Sequence, residues 1–120
     1  MEMEYYFRGK SKFNGEWFFG NLFDKDTTGR THITTTTCGC LDIDTETVGQ
    51  FTKIKDKNGK KIFEGDIYRM GDNNILYVVV FHDSGFIGNQ IGSSSYSGLK
   101  YWKDDIEVIG NIHDNKELLS

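Results

Sequence analysis

Apolar residues along this chain recur at intervals of two or in short runs. No stretch of ten or more residues holds the three-to-four spacing of a helical face. Between the runs stand Gly, Asn and Asp, the residues that turn a backbone, so the pattern predicts strands joined by tight turns. Tyr5-Tyr6-Phe7 and Trp17-Phe18-Phe19 flank Asn14-Gly15, a hairpin signal because both residues accept positive φ. An antiparallel pair over 4–8 and 16–23 is expected. Thr31–Thr37 reads as a strand with few large side chains, either an edge or a poorly packed ribbon. Cys38–Cys40 reads as a turn, Val48–Ile54 as a strand, and Asn58-Gly59 as a second hairpin turn.

The clearest strand is Ile75–Phe81. Ile75, Tyr77, Val79 and Phe81 share one face, and Leu76, Val78 and Val80 share the other, which marks a central strand covered on both sides. With 64–70 and 105–112 it forms the predicted heart of the fold. Gly92–Gly98 reads as a Ser/Gly-rich loop, and Asn115–Leu119 as a short helical turn. The expected core residues are Tyr5, Trp17, Phe19, Phe51, Ile67, Val79 and Ile109. The fold class is mainly β, with β-rich α+β as the variant. A small SH3-like or related barrel core carries an N-terminal hairpin, all in one domain over 1–120.

Composition changes this picture little. Nine Phe, six Tyr and two Trp can each bury about 150–250 Å², enough for a core that needs no disulfide staple. The run Ile75–Phe81 is far shorter than the roughly 20 residues of a membrane-spanning helix, so no membrane role is expected. Met1–Tyr5 lacks the basic-then-apolar pattern of a secretory signal, which makes the cytoplasm the expected compartment. A net charge of −4 argues against binding dominated by nucleic-acid phosphates, while leaving room for a local basic patch. The chain has no proline to blunt a sheet edge. That absence, the uncharged threonine ribbon and the many aromatics together predict a homo-oligomer.

Five features carry candidate chemistry. Lys53, Lys55, Lys57, Lys60 and Lys61 gather charge on one hairpin, where they could meet phosphates, with Phe51, Phe63, Tyr68 or Tyr101 as stacking platforms. The plainer reading is a soluble hairpin tip. Glu64-Gly65-Asp66 could pair carboxylates, but Gly65 and Asp66 fit better as a turn whose Asp accepts backbone amides. His32, Cys38, Cys40, His82 and His113 do not show zinc-ligand spacing, since Cys38 and Cys40 have only one residue between them and the histidines are isolated. Cys38 or Cys40 beside His32 would be a nucleophile without an orienting group. Asp42, Asp44 and Glu46 alternate as a hard-cation site could, yet a solvated strand edge fits them better. No catalytic residue, metal site or cofactor is assigned, and a metal-dependent enzyme is the least favoured reading.

Three stretches taken together resemble a known family: Thr47-Val48-Gly49-Gln50-Phe51-Thr52, Asp56 through Ile67, and Glu107 through Asn115. In this order and at these spacings the chain resembles the YopX family of bacteriophage and prophage proteins. Phe7-Arg8-Gly9-Lys10 and Trp17-Phe18-Phe19-Gly20 fit its N-terminal part. Lys116 departs from the family, which often carries Pro there. The resemblance implies a phage or prophage origin, a bacterial host cytoplasm and a compact, strand-rich fold, and it brings no catalytic residues. Gly65, Asp66, Gly110 and Asn111 are read as a structural motif. The favoured function is a non-enzymatic binding or assembly module that contacts a host or phage macromolecule. A nucleic-acid-binding module using Lys53–Lys61 is the alternative.

Overall fold

The computed structural model of the protein describes residues 6–20, 22–25, 27, 30–35, 39–71, 74–83 and 85–119. The chain divides into two compact units, Met1–Phe51 and Thr52–Ser120. Tyr5, Cys38 and part of the Thr31–Thr37 ribbon lie outside the described residues.

In the first unit, β1 (Phe7–Lys10) pairs antiparallel with β2 (Trp17–Gly20), closed by the turn at Asn14-Gly15. The Asn14 side chain accepts from Glu16 N at 3.0 Å, and Gly15 N donates to Ser11 O at 2.8 Å. The expected second strand over 16–23 is two strands. β2 stops at Gly20, and β3 (Leu22–Lys25) pairs with β4 (Thr31–Thr35), which pairs in turn with β5 (Gly39–Ile43). The threonine ribbon is therefore the middle strand of a three-stranded sheet, not an edge, and it cannot supply the edge expected to drive self-association. It is also well packed, because Thr31 and Ile33 are fully buried. Ile43 is buried with them, and a Cβ on Gly9 or Gly20 would overlap Ile43 or Ile33 respectively. Phe19, an expected core residue, is 40% exposed because the β1–β2 hairpin turns it outward.

β6 (Gly49–Lys55) runs across the division of the chain; its first residues pair with β1, and its later part neighbours β7 (Lys61–Phe63) in the second unit. The second unit then builds a five-stranded antiparallel sheet. Its strands are β8 (Asp66–Met70), β9 (Leu76–His82), β10 (Gly85–Gln90), β11 (Tyr96–Gly98) and β12 (Ile106–Asn111), in the order β11-β10-β9-β8-β12. The strand expected to be central, β9, is the middle one. A single helical turn, α1 (Leu99–Trp102), and short 3₁₀ turns at 45–47, 103–105 and 116–119 complete the described elements. The protein is mainly β.

The core of the second unit is Ile62, Tyr68, Tyr77, Val79, Leu99, Ile106 and Val108, with Ile54, Met70 and Phe86 packed against it. Period-two alternation explains most of it, since Tyr68 lies opposite both Tyr77 and Val108. The Tyr68 and Tyr77 rings stack at 5.2 Å. Gly88 on β10 makes room for Tyr68, whose ring and hydroxyl occupy the place a Cβ would take. Ile109, expected in the core, is 37% exposed. Along β12 the buried Ile106 and Val108 share one face and Ile109 takes the other, ahead of a register shift between Val108 and Gly110.

Candidate functional site

Two buried carboxylates organise the second unit, and both are spent on backbone amides. Asp56 follows β6 at the start of the hairpin turn. Its Oδ1 accepts from Asn58 N and Lys60 N, both at 2.9 Å, and its Oδ2 accepts from Val108 N at 3.0 Å. Lys57 N donates to Ile106 O at 3.0 Å, so the β6–β7 hairpin is fastened to the outer edge of β12 at two points. Asp66 opens β8 and is nearly inaccessible to solvent. Its Oδ2 accepts from Phe63 N at 2.8 Å across the turn at Glu64-Gly65. Gly65 holds φ at +92°, a conformation that strongly favours glycine. Its N–H donates to Val79 O and its carbonyl accepts from Ile112 N, both at 2.9 Å, which ties the turn to β9 and to the end of β12.

Gly110 and Asn111 form the matching device at the C-terminal end. Asn111 Oδ1 accepts from His113 N and Asp114 N at 3.0 and 2.9 Å, and Asn111 N donates back to Asn115 Oδ1 at 3.1 Å. A Cβ at Gly110 would sit 2.5 Å from that Asn115 oxygen, so the close approach needs glycine. These contacts give Gly65, Asp66, Gly110 and Asn111 structural work in one unit.

The five lysines lie where the hairpin was expected. Lys53, Lys55, Lys57 and Lys60 are exposed and Lys61 is half-buried, while Thr52, Ile54, Asp56 and Ile62 turn inward or pack against the core. Asp56 N donates to Lys60 O at 2.8 Å and closes the turn, which brings Lys55 and Lys61 to neighbouring positions on the two strands. Lys53 holds φ at +68° inside β6, an arrangement that costs a non-glycine residue about 1–2 kcal/mol. Thr52 supports it: its hydroxyl donates to Ile62 O at 2.8 Å and accepts from Ile54 N at 3.2 Å. Three of the four aromatics expected as stacking platforms are not available to a ligand. Phe51, Phe63 and Tyr68 are buried in their strands, and the Tyr101 side chain lies outside the described residues.

The remaining candidates are dispersed. His32 Nε2 stands 2.7 Å from Asp42 Oδ1 across β4 and β5, and Arg30 Nη1 lies 4.0 Å from the same carboxylate. Asp44 leaves the strand and caps the 45–47 turn by accepting from Glu46 N at 3.2 Å, so Asp42, Asp44 and Glu46 do not line one strand face. His82 ends β9, His113 sits in the turn after β12, and Cys40 lies on β5 opposite Thr34. Among the described residues, no three His, Cys, Asp or Glu side chains group as metal ligands do. No helix of the described residues is long and apolar enough to cross a membrane.

Sequence reasoning placed Phe81 on a covered face, and the structure corrects this. β9 is uncovered at its end, and Phe81 is 56% exposed there, packed edge-to-face on Phe86 at 5.2 Å. Beside it His82 stacks on Tyr96, itself 54% exposed, at 5.1 Å. Asp83, with φ of +48°, turns the chain between these pairs, and its carboxylate lies 3.2 Å from His82 Nε2. Four aromatic rings thus collect at the β9–β10 turn and the adjoining β11.

Comparison with known proteins agrees with this architecture. The structure is similar to protein EF1440 from Enterococcus faecalis, with 24% identity, a TM-score of 0.60, and coverage of 99% of this chain and 100% of that one. It is also similar to protein yopX from Bacillus subtilis, with 17% identity, a TM-score of 0.61 and 98% of each chain covered. No curated protein sequence matches the chain. The model of the family described as YopX protein matches residues 6–120, and the chain belongs to the YopX family.

Proposed function

We propose that this protein is a non-enzymatic binding module of a phage or prophage, acting in the cytoplasm of the bacterial host and contacting a host or phage protein. The aromatic cluster at the β9–β10 turn carries this reading. Phe81 and Tyr96 each leave more than half of their surface in water. Aromatic side chains that are rigid, exposed and mutually stacked are the usual anchors of protein interfaces, because they bury large areas at small entropic cost. The acidic residues best placed for acid–base work support the same view. Asp56 and Asp66 are enclosed by the backbone amides they accept from.

Co-purification from the bacterial host tests the proposal. Tagged wild-type protein should retain a defined protein partner, and Phe81→Ser/Tyr96→Ser should lose it while melting within about 1 kcal/mol of wild type, as surface changes do. Retention of that partner by the folded double variant overturns the assignment.

A further inference from the structure

We infer that the β6–β7 hairpin is a second, separate binding surface, one that takes the phosphate backbone of double-stranded nucleic acid. The nine residues 53–61 hold five lysines and one aspartate in a chain whose net charge is −4, so the rest of the molecule is strongly acidic and the hairpin is its basic pole. The one acidic group in the segment, Asp56, is turned inward and saturated by three backbone amides, which leaves the outward surface to lysine. A hairpin tip serving only solubility needs no anchoring. This one is fastened to β12 through the Asp56–Val108 and Lys57–Ile106 bonds, so the backbone that carries its lysines is already positioned before binding.

Two further observations refine the partner. Lys55 and Lys61 occupy neighbouring positions on adjacent strands, which brings two lysines together at cross-strand spacing. Lys53 is held left-handed within a strand by the paired bonds of Thr52, a local strain that the surrounding structure must sustain. Recognition by single-strand stacking is ruled out for Phe51, Phe63 and Tyr68, which are buried, so contact falls on phosphates and is insensitive to base sequence. Glu107 tempers the patch at Lys57, whose charge helps hold the Glu107 carboxyl below its ordinary range after the larger effect of Arg69. Lys55 and Lys60 are therefore the residues to vary.

The test is fluorescence anisotropy of a labelled duplex of about 20 base pairs, mixed sequence, with the full chain at several salt concentrations. Binding should weaken log-linearly with salt. Each phosphate-neutralising lysine contributes about −0.9 to the slope, so five give at most about −4.5. Lys55→Gln/Lys60→Gln should make the slope shallower by about 1.8 and weaken binding at low salt. Lys116→Gln, an exposed lysine elsewhere in the chain, should leave both unchanged. Absence of duplex binding at low salt, a slope indifferent to the hairpin substitutions, or equal competition by polyglutamate overturns the inference. Because Phe81 and Tyr96 lie on other strands, β9 and β11, partner retention by Lys55→Gln/Lys60→Gln in the co-purification experiment separates failure here from failure of the protein-binding proposal.

Discussion

Replacing Asp56 by alanine removes three hydrogen bonds at once, and the structure says what each is worth. The acceptors lost are those of Asn58 N, Lys60 N and Val108 N. Asn58 and Lys60 lie at the exposed tip, where water replaces the carboxylate, so each loss costs about 0.5–1 kcal/mol. Val108 N–H is buried, and leaving it unpaired costs about 1–3 kcal/mol. The total is about 3 kcal/mol, which at about 4 °C per kcal/mol for a domain of this size lowers the melting temperature by about 12 °C. Asp56→Asn should fall between. Its amide oxygen can still serve both tip amides, but its NH₂ then faces the Val108 N–H, donor against donor. Urea unfolding followed by far-UV circular dichroism measures the series, and an unchanged m shows that the midpoints report stability. If Asp56→Ala loses less than about 1 kcal/mol, the carboxylate does not hold the hairpin to β12, and the argument for a rigid lysine surface fails with it.

Four other outcomes follow from the same contacts. Asp66→Ala should lower stability by about 1–3 kcal/mol through the buried Phe63 amide, and a variant that melts like wild type while losing its biological effect would make Asp66 functional instead. Tyr68→Phe should be neutral or stabilising, because the buried Tyr68 hydroxyl has no hydrogen-bond partner among the described residues. Burial followed by the neighbouring Tyr77 raises the Tyr68 phenol above its ordinary value, so above about pH 10 the unfolded chain releases a proton that the native state keeps. Stability must then fall with rising pH, and melts across that range should show a smaller fall in Tyr68→Phe. Gly88→Ala should cost about 1–3 kcal/mol by overpacking against Tyr68, and less in a Tyr68→Phe background, which removes the nearest clashing atom. At the acid end, the Arg69 side chain, bonded at 2.9 Å through Nε, holds the Glu107 carboxyl below its ordinary range. The pair's contribution is therefore present at neutral pH and lost as pH falls through that lowered value; an NMR titration of Arg69→Gln should show the Glu107 midpoint rising.

The strands of the second unit were legible because their signals are local. Alternation located β8, β9 and β12 to within two residues, and Asn14-Gly15 and Asn58-Gly59 turn where their φ preferences place them, with Gly15 at +73° and Gly59 at +79°. Pairing is not local, and there the reading failed. Nothing within Thr31–Thr35 shows that β3 and β5 flank it, so a middle strand looked like an edge. Ile109 alternates with the buried Ile106 and Val108, and reading it as core chose the wrong face of β12. Phe81 has the same parity as Val79, yet it extends beyond what covers the strand. The turn at Gly65-Asp66 and the bond of Asp66 to a backbone amide were readable from turn chemistry, whereas the reach of Asp56 to Val108, 52 positions away, was not. Its Asp-x-Asn-Gly pattern did hold the local half of that role, the capping of the hairpin tip.

Hydrogen exchange on the complex with the co-purified partner tests the central claim most directly, since it reports where on the chain the partner sits. The account predicts new protection over 81–90 and 96–98, around Phe81, Phe86, His82 and Tyr96, with the turns at Glu64–Asp66 and Gly110–Asn115 unchanged because they are already bonded within the fold. Protection confined to those turns, with the aromatic hairpin exchanging as in the free protein, would contradict it.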